Sequence, residues 1–104
     1  MILHVMKYDI HPDKIEEYAA WTKAVLPKML AVPGCVEFRG YRAATGSSQV
    51  VFTLEFSDMQ AWATWQDNET IQKMGNERRA FTINETHELW GPSPVIPAPI
   101  RPGG

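Results

Sequence analysis

The chain has 104 residues, 44% hydrophobic and 21% charged, with a formal net charge of −2. This length supports one domain with a modest core, the composition excludes a disordered chain, and the charge balance supplies no basic field for nucleic acid or anionic lipid. Cys35 is the only cysteine, which excludes an intrachain disulfide and a thiolate metal cage.

Residues 1–20 hold no apolar run of signal-peptide or membrane-spanning length and already carry Lys7, Asp9 and Asp13, so the expected location is the cytoplasm, with no membrane partner. Ile2–Ile10 reads as a strand. Ile2, Met6, Tyr8 and Ile10 share one face with His4, while Leu3 and Val5 occupy the other, which turns polar at Lys7 and Asp9. A strand apolar on both faces at one end is expected to be covered on both. His11-Pro12 stops it, and Asp13 is placed to cap a helix over Asp13–Ala31, with Glu16 at capping-box spacing. Ile15, Tyr18, Ala19, Thr22, Leu26 and Met29 recur at intervals of three and four, which predicts the buried face of that helix. Pro27 should kink or shorten its last turn, and Pro33-Gly34 ends it.

Val36–Ala43 reads as a second strand, and Thr45-Gly46-Ser47-Ser48 as a hairpin loop. In the third strand, Gln49–Phe56, residues Val50, Phe52, Leu54 and Phe56 line one face and should lie beneath the helices. Ser57 and Gln60 repeat the capping-box spacing. Met59, Trp62 and Ala63 then form an apolar stripe with Trp65 beside it, and Asn68-Glu69-Thr70 breaks the helical stretch Asp58–Ala80. A last strand falls near Glu85–Trp90, with Phe81–Asn84 readable as loop or early strand. From Gly91 the composition changes: five of the eight prolines lie in residues 91–104, among Val95, Ile96 and Ile100. Such a segment is neither helix nor central strand. It is either a disordered tail or an extended polyproline-like arm, and the apolar residues between the prolines favour an arm lying on a partner subunit.

The order is β-α-β-β-α-β within residues 1–90, that of a ferredoxin-like α+β sandwich, followed by the arm at 91–104. One face of such a sheet is left over, and a second copy of the chain is expected to cover it. The strand ending Ile10-His11-Pro12-Asp13, the acidic helix start with Tyr18, the Pro33-Gly34 turn and the Phe56-Ser57-Asp58 junction followed by Trp62 together resemble the antibiotic-biosynthesis-monooxygenase-like domains of the dimeric α+β barrel superfamily. That resemblance implies a homodimer closed through its sheets. It also implies a pocket between helices and sheet, and chemistry on flat phenolic or quinol-type substrates with no flavin or metal cofactor. Members also include isomerases, cyclases, haem-degrading proteins and proteins with no known activity. Three pocket positions of the oxygenating members fall on Phe52, Phe56 and Trp62. The family asparagine is thus replaced by Phe52, and no arginine falls on the family's helical arginine position: Asn76 or Glu77 lies nearest, with Arg78 close by.

His4 is the candidate catalytic base, because imidazole titrates near neutrality and shares a strand face with Met6 and Tyr8. The competing reading is a buried neutral imidazole bonded to one partner. Tyr8, Phe52, Phe56, Trp62 and His87 are the candidate ligand-binding residues, with packing of a small core as the alternative. A metal site would need His4, His11 and His87 to converge, which no spacing motif supports. A non-catalytic dimeric ligand-binding or interaction module is the alternative to an enzyme.

Overall fold

The computed structural model describes residues 1–103. Four strands, β1 (Ile2–Ile10), β2 (Glu37–Arg42), β3 (Val50–Phe56) and β4 (Thr82–Trp90), form one antiparallel sheet in the order β2-β3-β1-β4. Three helices, α1 (Ile15–Leu30), α2 (Met59–Gln66) and α3 (Glu69–Arg78), lie on one face of it. The ferredoxin-like α+β order is the one expected.

Strand parity sets what faces the helices. His4 stands opposite Leu54 and Leu89, Met6 opposite Phe52 and His87, and Tyr8 opposite Val50. Directly opposed residues of antiparallel strands share a face, so these side chains form one layer. Leu54, Phe56, Trp65 and Ile71 make one buried cluster, joined by Met29 and Phe38. Met6, Tyr8 and Tyr18 make the other, flanked by Trp21, Phe52 and Phe81. At Gly40 on β2, an added Cβ would stand 2.9 Å from Phe52 Cε1. The missing side chain is what lets Phe52 lie across the strand and stack on Phe38, at 5.0 Å between ring centroids.

The helix starts depart from the expected pattern. Asp13 does not cap α1. It lies in a single 3₁₀ turn, Pro12–Lys14, and the α1 N-cap is Lys14, which makes no side-chain capping bond. Pro12 at the start of a turn needs no N–H partner, and this favours the 3₁₀ entry. The buried stripe of α1 is also rotated. Ile15 is half exposed and Ala19 exposed, while Trp21 and Val25 turn inward with Tyr18, Thr22, Leu26 and Met29. Pro27 is accommodated in the last turn, where the helix continues to Leu30. For α2 the cap is Asp58 rather than Ser57, its carboxylate accepting from Ala61 N at 2.8 Å. Met59 is half exposed, and the buried anchor is Trp65. The Asn68 break is itself a cap: its side-chain oxygen accepts from Thr70 N and Ile71 N and opens α3.

β4 begins at Thr82 and is bulged. Register shifts between Lys7 and Asp9, with Asn84 at φ +57°. Asparagine tolerates this left-handed conformation, and its amide donates to Asp9 Oδ2 at 3.1 Å. The extra residue has a consequence for the site. Thr82 and Glu85 have opposite parity and would point to opposite faces of a regular strand. The bulge puts both on the helix side, where Thr82 Oγ1 donates to Glu85 Oε1 at 3.3 Å.

After Trp90 no described residue lies in a helix or strand, and Val95 is 86% and Ile100 76% exposed. No helix among the described residues is long and apolar enough to cross a membrane.

Candidate functional site

The sheet brings His4 and His87 together. They occupy diagonal positions on neighbouring strands, and His4 Nε2 lies 2.8 Å from His87 Nδ1. His87 Nε2 in turn lies 2.8 Å from Glu85 Oε2. Arg78, from the end of α3, donates to that carboxylate twice, Nε to Oε1 at 2.7 Å and Nη2 to Oε2 at 3.2 Å. On the other side of the imidazole, Trp62 Nε1 and the Gln66 amide of α2 both lie 3.2 Å from His4 Nδ1.

These bonds have one direction. An indole N–H only donates, so His4 Nδ1 is an acceptor and carries no proton. The His4 hydrogen then sits on Nε2 and is donated to His87 Nδ1. That leaves the His87 hydrogen on Nε2, donated to Glu85. The chain therefore runs Trp62→His4→His87→Glu85, and the carboxylate at its end is paired with Arg78.

The electrostatics agree. Burial is the main cause lowering the His4 pKa to about 4, and the charges of His87 and Arg78 push it the same way. Its imidazole is neutral at pH 7. Burial alone would raise Glu85, but the hydrogen bonds and charges of Arg78 and His87 outweigh it and hold the carboxyl at about 2.

His4, His87 and Arg78 line a cavity of about 310 Å³ between the sheet and α2–α3. Its apolar wall includes Met6, Met29, Leu54, Ile71 and Met74. This is the lower end of the range of about 300–1,000 Å³ for small-molecule sites. Trp65 also lines it, and its buried indole N–H has no hydrogen-bond partner. A shallower groove on the other side of the histidine pair is lined by Trp62, Gln66 and Leu89.

The ligand-binding candidates separate. His87 lines the main cavity with His4, and Trp62 contacts His4 from the outer groove. Tyr8 and Phe52 lie deeper, around a space of about 60 Å³ shared with Tyr18 and Trp21. The Tyr8 hydroxyl is bonded to that of Tyr18, and burial and this bond raise its pKa. Phe56 is fully buried against Trp65 and lines neither space. His11 stands apart from the pair, beside Asp13 at 4.0 Å. No group of three His, Cys, Asp or Glu side chains suited to a metal ion occurs among the described residues.

Sequence reasoning passed over Glu85 and Gln66, and met Arg78 only as a residue close to the family's helical arginine position. One signal was present: Glu85 and His87 are two apart in a strand and share a face. The contact with Arg78 depends on how α3 crosses the sheet, which no local pattern encodes.

The sequence model of the family described as antibiotic biosynthesis monooxygenase matches residues 1–77. The chain belongs to that family. Among curated proteins, none matches it. Solved structures of the same fold are numerous. A crystal structure of an antibiotic biosynthesis monooxygenase superposes with a TM-score of 0.75 at 18% identity, covering 90% of this chain and 100% of that one. A dabb family protein with a ferredoxin-like fold from Mesorhizobium loti gives 0.78 at 17% identity, covering 88% and 96%. A dimeric protein of unknown function with a ferredoxin-like fold from Bacteroides fragilis gives 0.66 at 8% identity, covering 86% and 93%. At these identities the likeness establishes fold.

Proposed function

We propose that this member of the monooxygenase family is a cytoplasmic small-molecule enzyme that oxidises flat phenol- or quinol-type compounds with dioxygen, using neither flavin nor metal. The observation that carries the reading is the directed hydrogen-bond chain whose middle members, His4 and His87, line a cavity. A buried histidine of pKa about 4 is a poor base if it must keep the proton it takes. The chain removes that obstacle. A substrate hydroxyl displaces the Gln66 amide at His4 Nδ1 and gives up its proton there. His4 passes its Nε2 proton to His87 Nδ1. His4 is then neutral again with its tautomer reversed, and the positive charge rests on His87 against the Glu85 carboxylate. The phenolate, now electron-rich, reacts with dioxygen. One oxygen atom enters the ring as the second carbonyl of a quinone, the other leaves as water, and the phenol supplies both hydrogens and all four electrons.

The test is oxygen uptake in the presence of 1-naphthol, with quinone formation followed by absorbance. The reading expects uptake by the wild type and its loss in His4→Gln and His87→Gln. Uptake that both variants retain would refute the base assignment. Absence of both uptake and naphthol binding would refute the site. One feature favours the rival, a non-catalytic ligand-binding module: both His4 ring nitrogens are already bonded. Naphthol binding without uptake would establish it.

We further propose a homodimer through the helix-free face of the sheet. Leu3, Val51 and Thr53 form its centre, beside Val5, which is already buried in the single chain, with Lys7, Glu37, Arg39 and Glu55 around them, the arrangement of an apolar interface core with a polar rim. The accessible surface is 7226 Å², against about 5,900 Å² for a compact monomer of this mass. The radius of gyration is 15.1 Å, against about 13 Å for a compact domain of this length. A second copy taking the arm and this face would account for both excesses. Light scattering should give twice the 11.8 kDa chain mass; the mass of a single chain would refute the proposal.

A further inference from the structure

The polar lining of the main cavity is one-sided. No aspartate or glutamate lines it, whereas Arg78, Arg79, Gln66, Gln72 and Asn76 do. Arg78 is neutralised by Glu85 behind it, with both side chains nearly buried. Arg79 is different. It is exposed at the cavity's edge, donates from Nη1 to Asn76 Oδ1 at 2.6 Å, and has no carboxylate within 4.0 Å among the described residues. Asn76 keeps its NH₂ group, and one lone pair of its oxygen, for a ligand. His4 is neutral. The cavity therefore carries one positive charge with no carboxylate beside it, flanked by side-chain amides and facing a wall of Met6, Met29, Leu54 and Met74.

A cation would meet no carboxylate in the cavity lining, and a purely apolar ligand would leave the Arg79 guanidinium and the Asn76 amide without a partner once water is displaced, which costs free energy. An organic acid satisfies both halves. We infer that the cavity takes a carboxylate-bearing aromatic or alkyl ligand, the hydrocarbon part against the methionine and leucine wall and the carboxylate on Arg79 and Asn76. This rests on the cavity being the ligand site and narrows the substrate class from phenols to hydroxyaryl carboxylic acids. A guanidinium and an amide NH₂ held side by side match the two oxygens of a carboxylate better than the single oxygen of a phenol. Proton transfer to His4 is untouched by this assignment, because the hydroxyl and the carboxylate are separate groups of one molecule.

The experiment is a titration of the full chain with 1-hydroxy-2-naphthoate, 1-naphthol and 1-naphthylmethylammonium, followed by tryptophan fluorescence, in wild type and Arg79→Gln. The naphthoate should bind about tenfold tighter than naphthol, and the cation weakest. Arg79→Gln should weaken the naphthoate about tenfold and naphthol less than about twofold. Raising ionic strength should weaken the naphthoate selectively, an effect that does not depend on the variant. Naphthol binding as well as the naphthoate, or a naphthoate affinity indifferent to Arg79→Gln and to salt, would overturn the inference while leaving the cavity as a ligand site. Binding of none of the three would overturn both.

Discussion

Acidification should destabilise this protein in a window set by His4. In the folded chain its pKa is lowered from 6.5 to about 4, while the unfolded chain keeps the ordinary value. The unfolded state therefore takes up the proton first. The contribution of His4 is complete above pH 6.5 and is lost as the pH falls toward 4. At about 1.4 kcal/mol per unit, the loss by pH 4.5 is about 2–3 kcal/mol, a large part of the roughly 5–15 kcal/mol that holds a domain folded. Glu85, held at about 2, acts in the same direction, but its stabilisation is lost only below its ordinary 4.5, so stopping at that pH separates the two. The assay is urea unfolding by tryptophan fluorescence at fixed protein concentration from pH 7 to 4.5, in wild type and His4→Gln. The glutamine side chain can accept from Trp62 and donate to His87 but does not titrate. The stability gap between the two proteins should shrink by about 2–3 kcal/mol as the pH falls. A gap that stays constant across the window would refute the argument that burial and bonding hold His4 neutral.

Other outcomes follow from local geometry. Glu85→Gln removes the negative charge that stabilises a protonated His87, and turnover of an accepted phenol should fall about a hundredfold with KM little changed, measured by steady-state oxygen uptake. Gly40→Ala drives a Cβ to 2.9 Å from Phe52 Cε1, in a ring already packed on Phe38 and Tyr8; urea unfolding should register a loss of about 1–3 kcal/mol. Asp58→Ala and Asn68→Ala each leave the first turn of a helix without its side-chain acceptor, and each should cost about 1 kcal/mol by the same measurement.

The fold was legible because its signals are periodic and local. The alternation of Val50, Phe52, Leu54 and Phe56, and the stops at His11-Pro12 and Pro33-Gly34, need no tertiary information. The helix faces were harder. Ile15 and Ala19 fit a spacing of three and four as well as Trp21 and Val25 do, and only the position of the sheet decides which set turns inward. The caps failed for a related reason: Ser57 and Asp58 both suit an N-cap, and the choice depends on where the strand releases the chain. At the site, His4 and its face could be read from strand parity. The bulge at Asn84 could not, and that bulge sets Thr82 and Glu85 on one side. Glu85, Arg78 and Gln66 join the histidines only once β4, α3 and α2 are assembled around β1.

The account rests on the direction of the hydrogen bonds from Trp62 through His4 and His87 to Glu85, and long-range ¹H–¹⁵N correlation of the histidine side chains at pH 7 measures that direction. It should find His4 protonated on Nε2 with a bare Nδ1, and His87 likewise protonated on Nε2. A proton on His4 Nδ1 would contradict the account, because Trp62 would then have no acceptor there and the relay to Glu85 would run the wrong way.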